Sequence, residues 1–280
     1  MLKLQKGITS LFRKVTTSLP PDVEAAIKEA AGTEQDQSAK SELLTVLSNV
    51  QSARSDRTPI CEDTGVPFFY VSAPKGMSHM ELKKTIVEAT REATQKIPLP
   101  SYSVHPLTGE NTGDNTGDGI PVIHIQETDE PNLTIELMLL GTSSESLGRM
   151  YTLPDSKLGA GADLGGLGTC VLDAVRQAGG MGCPPYIIGV GLGPSRDRAA
   201  WLSKQQLRRK LDDLSPVPEI AAKEKSLLAE INALGIGPNM KGGSTTALGV
   251  KIGINHRHPK AAYLDVTFLC WNTRRGKLIW

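Results

Sequence analysis

Three cysteines stand far apart in this 280-residue chain, each in a turn rich in Pro, Gly or polar residues. Cys61 lies in Pro59-Ile60-Cys61-Glu62-Asp63-Thr64-Gly65, Cys183 in Gly182-Cys183-Pro184-Pro185, and Cys270 in Leu269-Cys270-Trp271-Asn272. Three thiolates can hold three corners of a cubane iron–sulfur cluster and leave the fourth iron open, as a Lewis acid able to grip a hydroxyl and a carboxylate of a small acid. Zinc sites usually draw on close pairs such as C-x-x-C, which are absent. Three thiols buried for packing account for the same spacing, because cysteine is often buried. Cys170, where a helical pattern begins, reads as a small core residue.

Glu62 and Asp63 adjoin Cys61. A carboxylate beside an iron site can orient a hydroxyl or accept a proton. Asp63 can equally do no more than cap the turn through Thr64 and Gly65. His105 lies in a polar loop, and His256 and His258 end a strand shortly before Cys270. A histidine there could shuttle a proton, and a solvated His-Arg-His turn fits as well. Four glycine-rich stretches, 141–146, 159–168, 191–195 and 235–243, could offer backbone N–H groups to an anion, although glycine mainly marks turns and close packing.

The elements that must position these groups follow from periodicity. Ile8, Leu11, Phe12 and Val15 share the face of a first helix that ends at Pro20-Pro21. Two helices occupy 21–54, a buried strand covers 66–71, and a helix from a Ser78 cap runs to Lys96. A long polar loop fills 98–119. Strands at 122–126 and 133–140, joined by Asp129-Glu130-Pro131-Asn132, read as an antiparallel hairpin. A helix through Asp173 and Val175 ends at Gly179-Gly180, and a strand at 186–190 leaves the Cys183 turn. Helices at 197–211 and 218–234 and strands at 245–255 and 262–268 complete the chain. The expectation is a single α+β domain over 1–280, helix-rich, with a mainly antiparallel sheet.

A net charge of +1 provides no field for nucleic acid or lipid. Nothing approaches the ~18 consecutive apolar residues of a membrane-spanning helix. The acid-free, basic N-terminus has the composition of an organellar address, and the helical spacing of its apolar residues favours an amphipathic first helix. Four scattered cysteines suggest a reducing compartment, and a cytoplasmic location is expected.

Several segments in order resemble the alpha subunit of the class I fumarate hydratase and L-tartrate dehydratase family, the iron–sulfur hydro-lyases. They are 61–65, His105-Pro106-Leu107-Thr108 with Asn111-Thr112-Gly113, 168–180, 183–185, 232–238, 243–248 and Cys270-Trp271, spanning residues 20 to 275. The resemblance implies the iron–sulfur alpha-type fold and a 4Fe–4S cluster on Cys61, Cys183 and Cys270. It implies reversible hydration of a small dicarboxylic acid, fumarate/malate or tartrate. Asp63 and His258 are then the catalytic candidates, with Glu62, Asp63, Asn111 and Gly141 contacting substrate and Cys170 not a ligand. The general base would come from a beta subunit, which the end of the chain soon after Cys270 also suggests. Three features depart from the family pattern. Pro100-Ser101-Tyr102-Ser103 stands where a carboxylate-clamping arginine is expected, so that Arg149 becomes a candidate substitute. The 140–146 loop lacks the family's lysine and asparagine, and Pro194-Ser195 replaces its later Gly-Gly-Thr. The competing reading is a cluster-carrying paralogue with an altered substrate, or a regulatory or redox-sensing role and little hydratase activity.

Overall fold

Helical and alternating apolar patterns resolve into eight α-helices and eight strands in a computed structural model that describes residues 1–280. In chain order they are α1 (Leu2–Thr17), α2 (Pro21–Thr33), α3 (Gln37–Asp56), β1 (Val66–Pro74), α4 (His79–Lys96), β2 (Val122–Thr128), β3 (Thr134–Leu140) and α5 (Thr142–Glu145). Then follow β4 (Arg149–Leu153), α6 (Leu164–Ala178), β5 (Tyr186–Gly193), α7 (Arg196–Gln206), α8 (Pro218–Asn232), β6 (Ala247–Ile254), β7 (Ala262–Leu269) and β8 (Arg274–Ile279). The chain divides into two compact units, one of residues 1–20, 48–142 and 272–280, the other of 21–47 and 143–271.

The first unit is built on a sheet of order β2-β1-β3-β8. Phe69, Val71 and Ala73 of β1 and Ile135, Leu137 and Leu139 of β3 alternate onto one face. Leu4, Ile8, Leu11, Phe12 and Val15 of α1 and Leu82, Ile86, Ala89 and Ala93 of α4 cover it. Phe12 meets Phe69 edge-on at 5.8 Å between ring centroids. At the start of α4 the Ser78 hydroxyl accepts the Glu81 N–H at 3.3 Å, the cap its sequence announces.

The second unit holds a sheet of order β4-β7-β5-β6. Tyr186, Ile188 and Val190 of β5 and Leu264, Val266 and Phe268 of β7 share a core with Cys170, Val171 and Ala174 of α6 and Leu227 and Ile231 of α8. Helix α7 lies on the other face. A side chain at Gly191 would come within 2.3 Å of the Ala199 carbonyl oxygen, so only glycine lets α7 lie this close. The Gly191–Ser195 stretch is thus a strand end running into a helix, and close packing explains Gly191.

Glu34, at the turn between α2 and α3, is buried and ties that turn to the 243–245 loop. Its Oε2 accepts from the Ser244 N–H (2.9 Å), the Ser244 hydroxyl (3.1 Å) and the Thr245 hydroxyl (3.0 Å), and Oε1 from the Gln35 and Asp36 N–H groups. Burial pushes its pKa up, but the bonds from Ser244, Asp36 and Thr245 outweigh that and hold it below the usual 4.5. A depressed carboxylate stabilises the fold above its unfolded pKa, and that stability is lost as pH falls through the folded value. Glu34→Gln is therefore expected to cost about 2 kcal/mol at pH 7. The difference from the parent should shrink steadily below pH 4.5, as urea titrations at several pH values would show.

The α+β class holds, but the sheets are mixed rather than mainly antiparallel. β1 pairs with β2 in parallel from Phe68↔Val122 to Pro74↔Thr128, and β5 pairs with β6 in parallel. The expected β2–β3 hairpin does not form, because β1 lies between them and pairs with β3 antiparallel. The physical reason is the strand–helix–strand order: α4 serves as a crossover that returns the chain parallel to β1. Two strands absent from the sequence reading, β4 and β8, are sheet edges, and α7 ends at Gln206 rather than Leu211.

Candidate functional site

In the second unit, Cys183 and Cys270 occupy one corner. Leu269, the last residue of β7, pairs with Ile187 near the start of β5, so the turn after β7 lies beside the turn before β5. The Trp271 N–H donates to the Cys183 carbonyl at 3.3 Å. Cys183 is exposed with a left-handed backbone (φ 57°), and Cys270 is half-buried. Their support is dense. The buried Tyr186 hydroxyl donates to the Gly179 carbonyl (3.0 Å), accepts the Gly182 N–H (3.1 Å), and its ring packs edge-on against Phe268. Burial, together with the Cys183 and Cys270 thiols and against the Gly182 bond, pushes its pKa up to about 12. The 235–243 loop braces the same corner, since the Asn239 N–H donates to the Pro184 carbonyl (3.0 Å).

Cys61 is half-buried in the first unit, on a turn fixed from several sides. Ile60 donates its N–H to the Thr16 carbonyl (2.9 Å), and its own carbonyl accepts from Asn49 Nδ2 (3.1 Å). Asp63 holds the far side: Oδ1 accepts the Gly65 N–H and Oδ2 the Thr142 N–H, each at 2.8 Å. The buried Arg274 guanidinium donates to the Asp63 carbonyl. Gly65 (φ 74°) and Gly141 leave room for this knot. A Cβ at Gly65 would lie 2.7 Å from the Leu140 carbonyl oxygen, and one at Gly141 would lie 3.1 Å from Asp63 Oδ2 and 3.3 Å from Arg274 Nη2. Glu62 is exposed, and its carbonyl accepts the Tyr102 hydroxyl at 2.9 Å. Asn111 is exposed and folds the polar loop onto itself through Ser101 and the Gly113 N–H.

The remaining candidates lie elsewhere. His258 sits in the exposed turn before β7, whereas Cys270 follows its other end, and an eight-residue strand separates them by roughly 25 Å. Its Nδ1 accepts the Lys260 N–H (3.2 Å), a turn contact. Arg149 is exposed on β4, opposite Val266. Cys170 is fully buried in α6, and burial, then Asp155 and Asp173, push its thiol up to about 11, a packing residue rather than a thiolate. Two residues that hold the two turns went unread in the sequence: Tyr186 and Arg274. Only Arg274 carried a signal, as a charge close after Cys270-Trp271.

The thiols fit a cluster in their chemistry. They are soft donors at or near the surface, on turns held by backbone hydrogen bonds.

Similarity to known proteins covers nearly the whole chain. It is 39% identical to a provisionally named class I fumarate hydratase of Geobacillus stearothermophilus over 98% of this chain and 54% of that one. It is 34% identical to a provisionally named L(+)-tartrate dehydratase subunit alpha of Methanocaldococcus jannaschii, covering 98% of this chain and 96% of that one. The L(+)-tartrate dehydratase subunit alpha of Escherichia coli K12 is 31% identical, covering 99% and 90%. The chain thus spans about half the Geobacillus protein and nearly all of the two alpha subunits. The family model described as fumarate hydratase (Fumerase) matches residues 5–279, a stretch that contains the Cys61, Cys183 and Cys270 turns, and the chain belongs to that family.

Proposed function

We propose that this chain is the cluster-bearing half of a hydro-lyase that reversibly adds water to a small dicarboxylic acid of the fumarate/malate or tartrate type. Cys61, Cys183 and Cys270 hold a 4Fe–4S cluster, and a beta-type subunit or region supplies the general base. The observation that carries this reading is the Cys183–Cys270 corner. Two cysteines from distant parts of the sequence lie on adjoining turns, joined by the Trp271 N–H to Cys183 carbonyl bond and by the Ile187–Leu269 pairing beside it. When bound, the cluster supplies a Lewis-acidic iron with an open position that polarises a substrate hydroxyl.

This chain's own residues hold and orient. Tyr186 and Asn239 fix the Cys183 turn, and Arg274 fixes the Cys61 turn. Asp63 has both carboxylate oxygens engaged by backbone N–H groups, which suits a positioning role better than proton transfer. Glu62, exposed beside Cys61, is free of those bonds and suits a substrate hydroxyl, with the exposed Asn111 and the backbone of the buried Gly141 as further contacts. His258, a strand's length from Cys270, is assigned no part in proton transfer at the Cys270 corner.

The Pro100–Ser103 segment stands where the family resemblance puts a clamping arginine, and the Tyr102 hydroxyl within it donates to the Glu62 carbonyl. That observation favours a second reading, a cluster-bearing paralogue with an altered substrate or little hydratase activity. Co-expression with a complementing beta-type chain, followed by anaerobic assays with fumarate, malate and tartrate, separates the two. Turnover of at least one acid, dependent on both chains, is expected. Iron-loaded, partner-bound protein inert toward all three would favour the paralogue.

A further inference from the structure

Asn272 is 4% exposed, and neither Oδ1 nor Nδ2 of its amide has a hydrogen-bond partner. Buried amides are almost always paired, because a donor or acceptor removed from water and left alone is costly. This one is held where it is. One residue earlier, Trp271 donates to the Cys183 carbonyl; two residues later, the buried Arg274 donates to the Asp63 carbonyl and pairs with Leu139 in the β3–β8 ladder. Two peptide steps keep its Cα within about 7 Å of that of Cys270.

We propose that Asn272 is a built-in donor to the cluster: its Nδ2–H bonds to sulfur at the corner held by Cys270. The inference rests on the cluster reading above. Cluster sulfur is electron-rich and accepts N–H groups, while Oδ1 is repelled by it, so the amide is fixed donor-first. A neutral amide supplies this bond without burying a charge. Hydrogen bonds to sulfur stabilise the more negative, reduced state and raise the potential, which protects the open iron from oxidative loss.

The test uses Asn272→Leu, similar in volume without polar atoms, and Asn272→Asp, which exchanges the donor for an anion. Both are compared with the parent as the partner-bound protein prepared anaerobically. The expected results are a lower cluster midpoint potential in Leu and a lower one still in Asp, several-fold faster iron loss in air, and KM for the diacid within twofold of the parent. In iron-free protein Asn272→Leu is expected to melt higher than the parent, because the orphan amide is gone. Parent protein without iron would overturn the cluster reading and this inference with it. An iron-loaded parent whose variants keep its potential and air stability would overturn the inference alone. So would a raised KM at unchanged potential, which would assign the amide to substrate. If neither variant retains iron, the iron-free melt decides: a lower melting temperature for Asn272→Leu would mark a purely structural amide.

Discussion

Cys183→Ser is expected to strip the cluster and reduce hydration by about a thousandfold or more, since Lewis-acid polarisation is worth several kcal/mol in the transition state. Serine preserves size, and the backbone carbonyl that accepts from Trp271 is untouched. Cys183 is also exposed, so its side chain contributes little to the core. The melting temperature of the iron-free variant should therefore match that of the iron-free parent. Cys170→Ser is the contrasting control. It buries a hydroxyl in the α6 core, lowers stability and leaves iron content unchanged. Iron analysis and thermal melts on both variants distinguish a ligand from a packing thiol. Retention of full iron in Cys183→Ser would remove that residue from the ligand set.

Asp63→Ala is expected to have the second-largest effect, through the turn that carries Cys61. The substitution strands the Gly65 and Thr142 N–H groups, whose bonds to a charged acceptor are each worth about 1.5–3 kcal/mol, so a loss of about 3–5 kcal/mol is anticipated. Asp63→Asn retains one acceptor oxygen and should recover part of that stability. If Asp63 acts by positioning, activity and iron retention recover together with stability in the asparagine variant. Full stability with activity still abolished would instead assign the carboxylate a direct part in proton transfer. Denaturant unfolding paired with kcat measurements on both variants provides the comparison.

How much of this was legible in the sequence differs between core and edge. The α1 stripe, the Ser78 cap and the Tyr186–Val190 strand were readable, because each buries one regular face or makes a local cap. β8 reads Arg274-Arg275-Gly276-Lys277-Leu278-Ile279 and β4 opens with Arg149, and charged edge strands lack the apolar alternation that marks interior ones. Strand order was lost for another reason. Asp129-Glu130-Pro131-Asn132 has good turn chemistry, but turn chemistry does not reveal that β1 occupies the space between β2 and β3. At the site, the three cysteine turns were visible as residue types. Tyr186 and Arg274 act through burial and long-range contacts that no local pattern encodes, and the position of His258 depended on β7 lying between it and Cys270.

The central claim is that the thiols of Cys61, Cys183 and Cys270 share one cubane. Its most direct test is iron and acid-labile sulfide analysis of the anaerobically purified, partner-bound protein, repeated with each of the three cysteines replaced in turn. The account predicts about four irons and four sulfides per chain in the parent, with the cluster lost in all three variants. Iron-free parent protein, or a full complement of iron in any one of the variants, would contradict it.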